Sequence, residues 1–264
     1  MSSTRPEGGR SAADPPSRAA LLAWSLLLLL VTADVVLRGP LSRLDQGLAD
    51  WLRAHLDLRK LHHLGRHQKG EIALVALLQF GAPAVYAVVV PYLVVVSARR
   101  RTLRPLVRLA VLGVLLVSVV YAAKLGFGRT QPVQDELWTS EGRSYPSGHT
   151  ANATVTWGLV AWVTAEYGPP ALRRVTGVLR WLAPLLTAAA MVLLVYHWLT
   201  DVIAGAAVGV LLLALLHTLD RWALAHWPDA YGGISGGGRR AADRGRAGSL
   251  GDGRPVHDPG PADR

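Results

Sequence analysis

The amino-acid sequence predicts an all-α, polytopic membrane protein: six transmembrane helices with an amphipathic helix outside them. Composition comes first, since 51% of the 264 residues are hydrophobic and only 17% are charged, whereas a soluble domain carries about 25%. Distribution comes second. The apolar residues form long runs near 19–37, 72–97, 106–123, 150–165, 181–199 and 202–219, each near the length that crosses a bilayer. Charge is third: the formal net charge of +10 falls on arginines between or beyond the runs, which is membrane patterning and excludes nucleic acid as the expected partner. With no cysteine in the chain, disulfide frameworks, thiolate nucleophiles and cysteine-ligated metals are excluded as well.

Residues 1–18 are small, polar and proline-containing, and read as a disordered tail. Ala19 to Leu37 would span roughly 28 Å as a helix and is read as an uncleaved first span, because no short apolar run with a small-residue cleavage site precedes it. The second span contains Pro83 and Pro91, which a membrane helix tolerates with a kink. The fourth contains Asn152, Thr154 and Thr156 and is expected to face other helices rather than lipid. In the sixth, Gly205 and Gly209 have the spacing that lets two helices approach closely, read here as plain packing. The membrane domain thus covers 19–228, and the Gly-, Arg- and Asp-rich segment 229–264 reads as a second disordered tail.

Eighteen of the 28 lysines and arginines lie on the N-terminal side of these spans and ten on the other. The positive-inside rule therefore places both termini in the cytoplasm of a multi-pass cell-membrane protein. In the external segment 39–70, Leu41, Leu44, Leu48, Trp51, Leu52, His55 and Leu58 recur at helical spacing, with Arg43, Asp45, Asp50 and Arg53 between them. This predicts an amphipathic helix on the outer membrane surface. His62, His63 and His67 follow without carboxylates beside them, so solvated interfacial histidines are expected rather than a metal site.

Three segments gather ionisable residues at the external ends of their helices, where such groups are functional candidates. In Lys124–Pro132, Lys124 (one of three lysines against 25 arginines) and Arg129 offer donors suited to a phosphate. They equally fit a snorkelling lysine and an interfacial arginine. In Tyr145–Thr150, Pro146 and Gly148 make a turn whose following helix start cradles an anion, with Ser147 as a hydroxyl donor and His149 suited to proton transfer. The alternative is a serine N-cap. In the third segment, His197 and Asp201 stand at i and i+4 on one helical face, where an aspartate orients an imidazole for attack or forms a buried structural pair.

Taken in this order the three segments resemble the type 2 phosphatidic acid phosphatase superfamily, which shares its site with vanadium haloperoxidases. The family signatures are KxxxxxxRP, PSGH and SRxxxxxHxxxD. Pro146-Ser147-Gly148-His149 matches the second in full, Lys124 and Pro132 match the first, and His197 and Asp201 match the third. Gln131 replaces the first signature's arginine, and Ala190 and Met191 replace the third's Ser-Arg pair.

The resemblance implies that His197 is the nucleophile forming a phosphohistidine, Asp201 orients it, and His149 protonates the leaving alkoxide. Lys124, Ser147 and Gly148 would hold the phosphoryl oxygens, with Arg129 or Arg143 substituting for the replaced arginines. It implies no metal and no cofactor. The expected activity is hydrolysis of a lipid phosphate or diphosphate monoester at the external leaflet, among membrane lipids. The alternative is a weak or inactive member that binds lipid phosphate in transport or as a receptor; keeping Lys124, His149, His197 and Asp201 favours the enzyme, and Gln131 and Met191 favour the binder.

Overall fold

The computed structural model describes residues 15–55, 69–132 and 143–227, so most of both predicted tails and His62, His63 and His67 lie outside the described residues. The first span forms α1 (Arg18–Leu37), whose end turns sharply into the surface helix α2 (Pro40–His55). Asp34 caps α2, accepting from the backbone N–H groups of Leu41 at 3.1 Å and Ser42 at 2.8 Å. A Cβ on Gly39 would run into the Asp34 carboxylate, so any larger residue there would push the capping group aside.

The second predicted span is broken rather than kinked. Helix α3 (Lys69–Leu78) stops, a 3₁₀ turn covers Pro83–Val85, and α4 (Tyr86–Arg100) resumes with Pro91 inside it. The break falls before Pro83, which holds Ala82 extended at φ −81°, ψ 159°. Its freed carbonyls find donors on the fourth predicted span, α6 (Gly148–Tyr167). Asn152 Nδ2 donates to Gly81 O at 2.9 Å and Trp157 Nε1 to Phe80 O at 3.1 Å. Backbone that leaves helical geometry at membrane depth must be satisfied inside the protein, which explains why α6 carries polar side chains.

The remaining helices are α5 (Arg104–Phe127), α7 (Pro170–Leu193) and α8 (Leu199–His226). Five described segments are long and apolar enough to cross a bilayer: Arg18–Leu37, Pro83–Arg100, Arg104–Phe127, Pro170–Leu193 and Leu199–His226. Helix α6 has 20 residues and a spanning length but a more polar composition. It packs against α4, α5, α7 and α8 and is buried along most of its length, as its threonines and asparagine predict. Arg173, Arg174 and Arg180, which lie between the apolar runs 150–165 and 181–199, sit on the first turns of α7, because Pro170 starts that helix well before the apolar run.

Leu93, Leu112, Leu116, Leu159, Leu212 and Leu216 form the core among α4, α5, α6 and α8. Helix α8 approaches α6 closely through its glycines: a Cβ on Gly205 would lie 2.4 Å from Ser147 O, and one on Gly209 2.6 Å from Thr154 Cβ. The predicted small-residue packing is therefore present, and it presses α8 against the turn that begins α6.

At the end of the bundle where α5 starts, a buried ionic cluster ties three helices together. Arg108, 1% exposed, donates from Nε and Nη2 to the two oxygens of Asp220 at 2.7 and 2.8 Å. Its Nη1 reaches Glu166 at 2.6 Å, and Arg104 donates to the same two carboxylates at 3.1 and 3.0 Å. The Arg108 guanidinium also covers the Trp162 ring at 4.0 Å, and Trp162 stacks on His217 at 3.6 Å. In the sequence Arg104 and Arg108 count only among the positive charges on the N-terminal side; their carboxylate partners stand 58 to 116 residues away, beyond any local pattern.

Candidate functional site

The opposite end of the bundle gathers the residues singled out in the sequence into two adjoining groups. The first lines a cavity of about 680 Å³ and comprises Lys124 at the end of α5, Arg143 in the turn before α6, and Gly148 and His149 in the first turn of α6. Lys124 Nζ donates to Arg143 O at 2.8 Å, which anchors the turn and holds the ammonium at the cavity. From there the cavity follows one face of α5 through Val120, Leu116, Gly113 and Leu109, 15 residues before Lys124 or about 22 Å along the helix. One end is cationic and hydrogen-bonding, and the remainder is apolar apart from Tyr86, Tyr121 and Asn152.

The second group lies beside it and centres on Asp201. The predicted His–Asp contact forms, with His197 Nδ1 and Asp201 Oδ2 3.2 Å apart, but not across one helical face. Helix α7 ends at Leu193 instead of continuing to 199, Val195 adopts a left-handed φ of 56°, and Trp198 is the extended N-cap of α8. His197 therefore sits in a tight turn and Asp201 in the first turn of the next helix. Residues 194–199 are largely apolar and contain no glycine or proline, so nothing in the pattern marks the turn. The main chain holds the turn in place: the N–H groups of Tyr196 and His197 donate to Met191 O at 3.0 and 3.2 Å.

Both Asp201 oxygens are held. Oδ2 also accepts from Trp198 N at 3.2 Å, and Oδ1 accepts from Arg129 Nη1 at 2.7 Å. Arg129 Nη1 further donates to Thr200 Oγ1 at 2.6 Å, and its Nη2 to Asp45 Oδ2 at 2.8 Å. Arg129, expected beside the phosphate, thus joins two buried carboxylates and does not line the cavity. The reason is Asp45 on α2, expected among the solvent-facing charges of an amphipathic helix but only 2% exposed. A weak signal existed in the sequence: Asp45 lies one residue after Leu44 and three before Leu48, on the flank of the apolar stripe.

Ser147 is fully buried and acts as the N-cap of α6, accepting from Thr150 N at 3.4 Å and from Thr150 Oγ1 at 3.1 Å. Its backbone N–H donates to Asp201 O at 2.9 Å, which joins the turn of the first group to the helix of the second. Tyr145, before it, is buried with its hydroxyl 2.6 Å from Thr32 Oγ1 on α1. Burial pushes its phenol pKa up. The two positions where the signatures have arginine differ in setting. Met191 is 2% exposed in an apolar cluster with Leu78, Ala190, Leu194 and Val202. Gln131 lies in the segment that follows α5, where Trp198 Nε1 holds Thr130 O at 2.8 Å and Arg53 of α2 holds Pro132 O.

Residues 105–224 match the model of the PAP2 superfamily. The chain also resembles, at 21% identity and a TM-score of 0.59, the crystal structure of a transmembrane PAP2 type phosphatidylglycerolphosphate phosphatase from Bacillus subtilis; the match covers 76% of this chain and 96% of that one. No curated protein matches the sequence. The matched segment holds both groups of the site apart from Asp45, and the helical architecture agrees with that structure. Residues 105–224 of this multi-pass membrane chain are therefore similar to the PAP2 superfamily.

Proposed function

We propose that the chain is an integral-membrane phosphatase that hydrolyses a lipid phosphate or diphosphate monoester at the external leaflet through a phosphohistidine on His197. One observation carries the reading. The cationic end formed by Lys124, Arg143 and the first turn of α6 opens onto an apolar cavity that continues along α5, the shape and polarity of a phosphate headgroup joined to a hydrocarbon chain. The phosphatase named from Bacillus subtilis acts on phosphatidylglycerolphosphate, a substrate of this same form.

In this mechanism His197 Nε2 attacks phosphorus as the bond to the lipid oxygen breaks, and His149 delivers a proton to the departing alkoxide. Water then attacks the phosphohistidine, with His149 as base, releasing inorganic phosphate and restoring the imidazole. Asp201 holds Nδ1 and stabilises the positive charge that develops on the ring. Lys124, the backbone N–H of Gly148 and Arg143 supply the charge stabilisation on which phosphoryl transfer depends.

Purified protein is expected to release phosphate from at least one of phosphatidate, phosphatidylglycerophosphate and a polyprenyl diphosphate, at a rate that chelators leave unchanged. A cysteine at the exposed position Gln46 on α2, in this cysteine-free chain, should react with an impermeant thiol reagent in intact cells. Labelling only after permeabilisation would place the site on the other side. Arg143→Ala should lower kcat/KM at least about tenfold, or about 1.4 kcal/mol of transition-state stabilisation, while Arg221→Ala at the far end should leave it unchanged.

The second reading is a lipid-phosphate-binding protein without turnover. It is favoured by Met191, which places an apolar side chain in a core cluster where the family signature has arginine. Binding of lipid phosphates with no phosphate release across the panel would establish it in place of the first.

A further inference from the structure

We propose that Asp45, on the surface helix α2, is a positioning residue for the reaction: its carboxylate holds Arg129 and restores the negative charge behind the His197–Asp201 pair. The inference rests on the phosphatase reading above. The geometry is a continuous relay. Asp45 accepts from Arg129 Nη2 at 2.8 Å, from Thr200 N at 3.1 Å and from the Thr200 hydroxyl; Arg129 Nη1 donates to Asp201 at 2.7 Å; and Asp201 meets His197 Nδ1 at 3.2 Å. Asp45 and Asp201 are 2% and 0% exposed, so these charges are weakly screened.

The chemistry explains why a second carboxylate is needed. When His197 forms its bond to phosphorus, the ring takes on positive charge, which an anionic Asp201 stabilises. An arginine bound to the same carboxylate opposes that effect, since Arg129 and Asp201 together are neutral. Asp45 brings the three-group cluster to a net charge of −1 and draws Arg129 towards itself by charge-assisted hydrogen bonds. It also holds the guanidinium away from the cavity, where an incoming phosphate would otherwise compete for it. Helix α2 grips the same segment a second time through Arg53 at Pro132 O, eight residues or about 12 Å further along the helix. The surface helix is thereby a brace for the loop that carries Arg129.

The test is steady-state kinetics of purified variants on whichever panel substrate the wild type hydrolyses, with thermal unfolding measured alongside. Asp45→Asn keeps the shape and removes the charge. Its kcat should fall at least about tenfold while KM stays within a factor of about two, because the lost interaction belongs to the transition state and not to the bound substrate. Arg129→Gln added to Asp45→Asn returns the cluster to a net charge of −1, and kcat should recover at least about threefold relative to the single variant. A residue that only supports the fold would show no such rescue.

Wild-type kcat in Asp45→Asn, or a double variant no faster than the single, overturns the proposal while leaving the phosphatase reading intact. A wild type that releases no phosphate overturns that reading and this inference with it. If Asp45→Asn does not fold, Thr200→Val decides. It removes the hydroxyl that links Asp45 to Arg129 without changing charge, and should lower kcat about threefold at constant KM; an unchanged kcat would overturn the proposal.

Discussion

Replacing His197 with alanine is expected to reduce phosphate release at least about a thousandfold, the largest effect of any single change at this site, because it removes the proposed nucleophile and leaves only binding and charge stabilisation. The variant should still bind lipid phosphate, since Lys124, Arg143 and the first turn of α6 are untouched. Rapid quenching of the wild type with labelled substrate should trap a protein-bound phosphate that is lost in acid; His197→Ala should trap none. The contrast with His149 sharpens the test. His149→Ala should slow turnover about 10²–10⁴-fold on a lipid alkoxide but far less on an aryl phosphate, whose leaving group departs without a proton. His197→Ala should show no such dependence on the leaving group. Full activity in His197→Ala, or a strict metal requirement, would overturn the covalent mechanism.

The second large effect is on stability, at the opposite end of the bundle. Arg108→Leu should destabilise the fold by about 3–5 kcal/mol, because it leaves buried Asp220 and half-buried Glu166 facing one arginine instead of two. For a chain of this size that is a fall in Tm on the order of 10 °C, measurable by thermal unfolding in detergent. Arg108→Lys should fall between leucine and wild type, since lysine keeps the charge but loses both the two-pronged bond to Asp220 and the flat contact with Trp162. Below its lowered Tm, Arg108→Leu should retain most of the wild-type kcat. Arg108 lies 16 residues from Lys124 along α5, or about 24 Å, and shares no partner with the site. Wild-type stability in Arg108→Leu would show that the ion cluster does not hold the helices together.

Much of the site was readable from residue type and spacing once the helices were placed in a membrane. Lys124, His149, His197 and Asp201 come to the same end of the bundle because each stands at or beside the same end of a helix, and antiparallel topology brings such ends together. What the pattern could not show was where α7 stops. Residues Leu193 to Leu199 remain largely apolar through the turn that carries His197, and the turn is held by main-chain bonds to Met191 O rather than by a glycine or proline. The break before α4 was visible only as Pro83; its depth depended on donors from Asn152 and Trp157, about 70 residues away.

The sequence by itself determined the class of the protein, the approximate spans and the candidate site residues, because these depend on local quantities: the length of apolar runs, the placement of arginines and the identity of short motifs. Tertiary structure alone decided which charges face one another. Asp45 looked like one of four charges on a surface helix, and Arg129 like a free cation for phosphate; packing α2 against the start of α8 buries the first and turns the second away from the cavity. Arg104 and Arg108 likewise became a lock only when Glu166 and Asp220 met them across three helices. A buried charge is stable only with its partners in place, and partners brought together by folding over tens of residues leave no periodic trace in the chain.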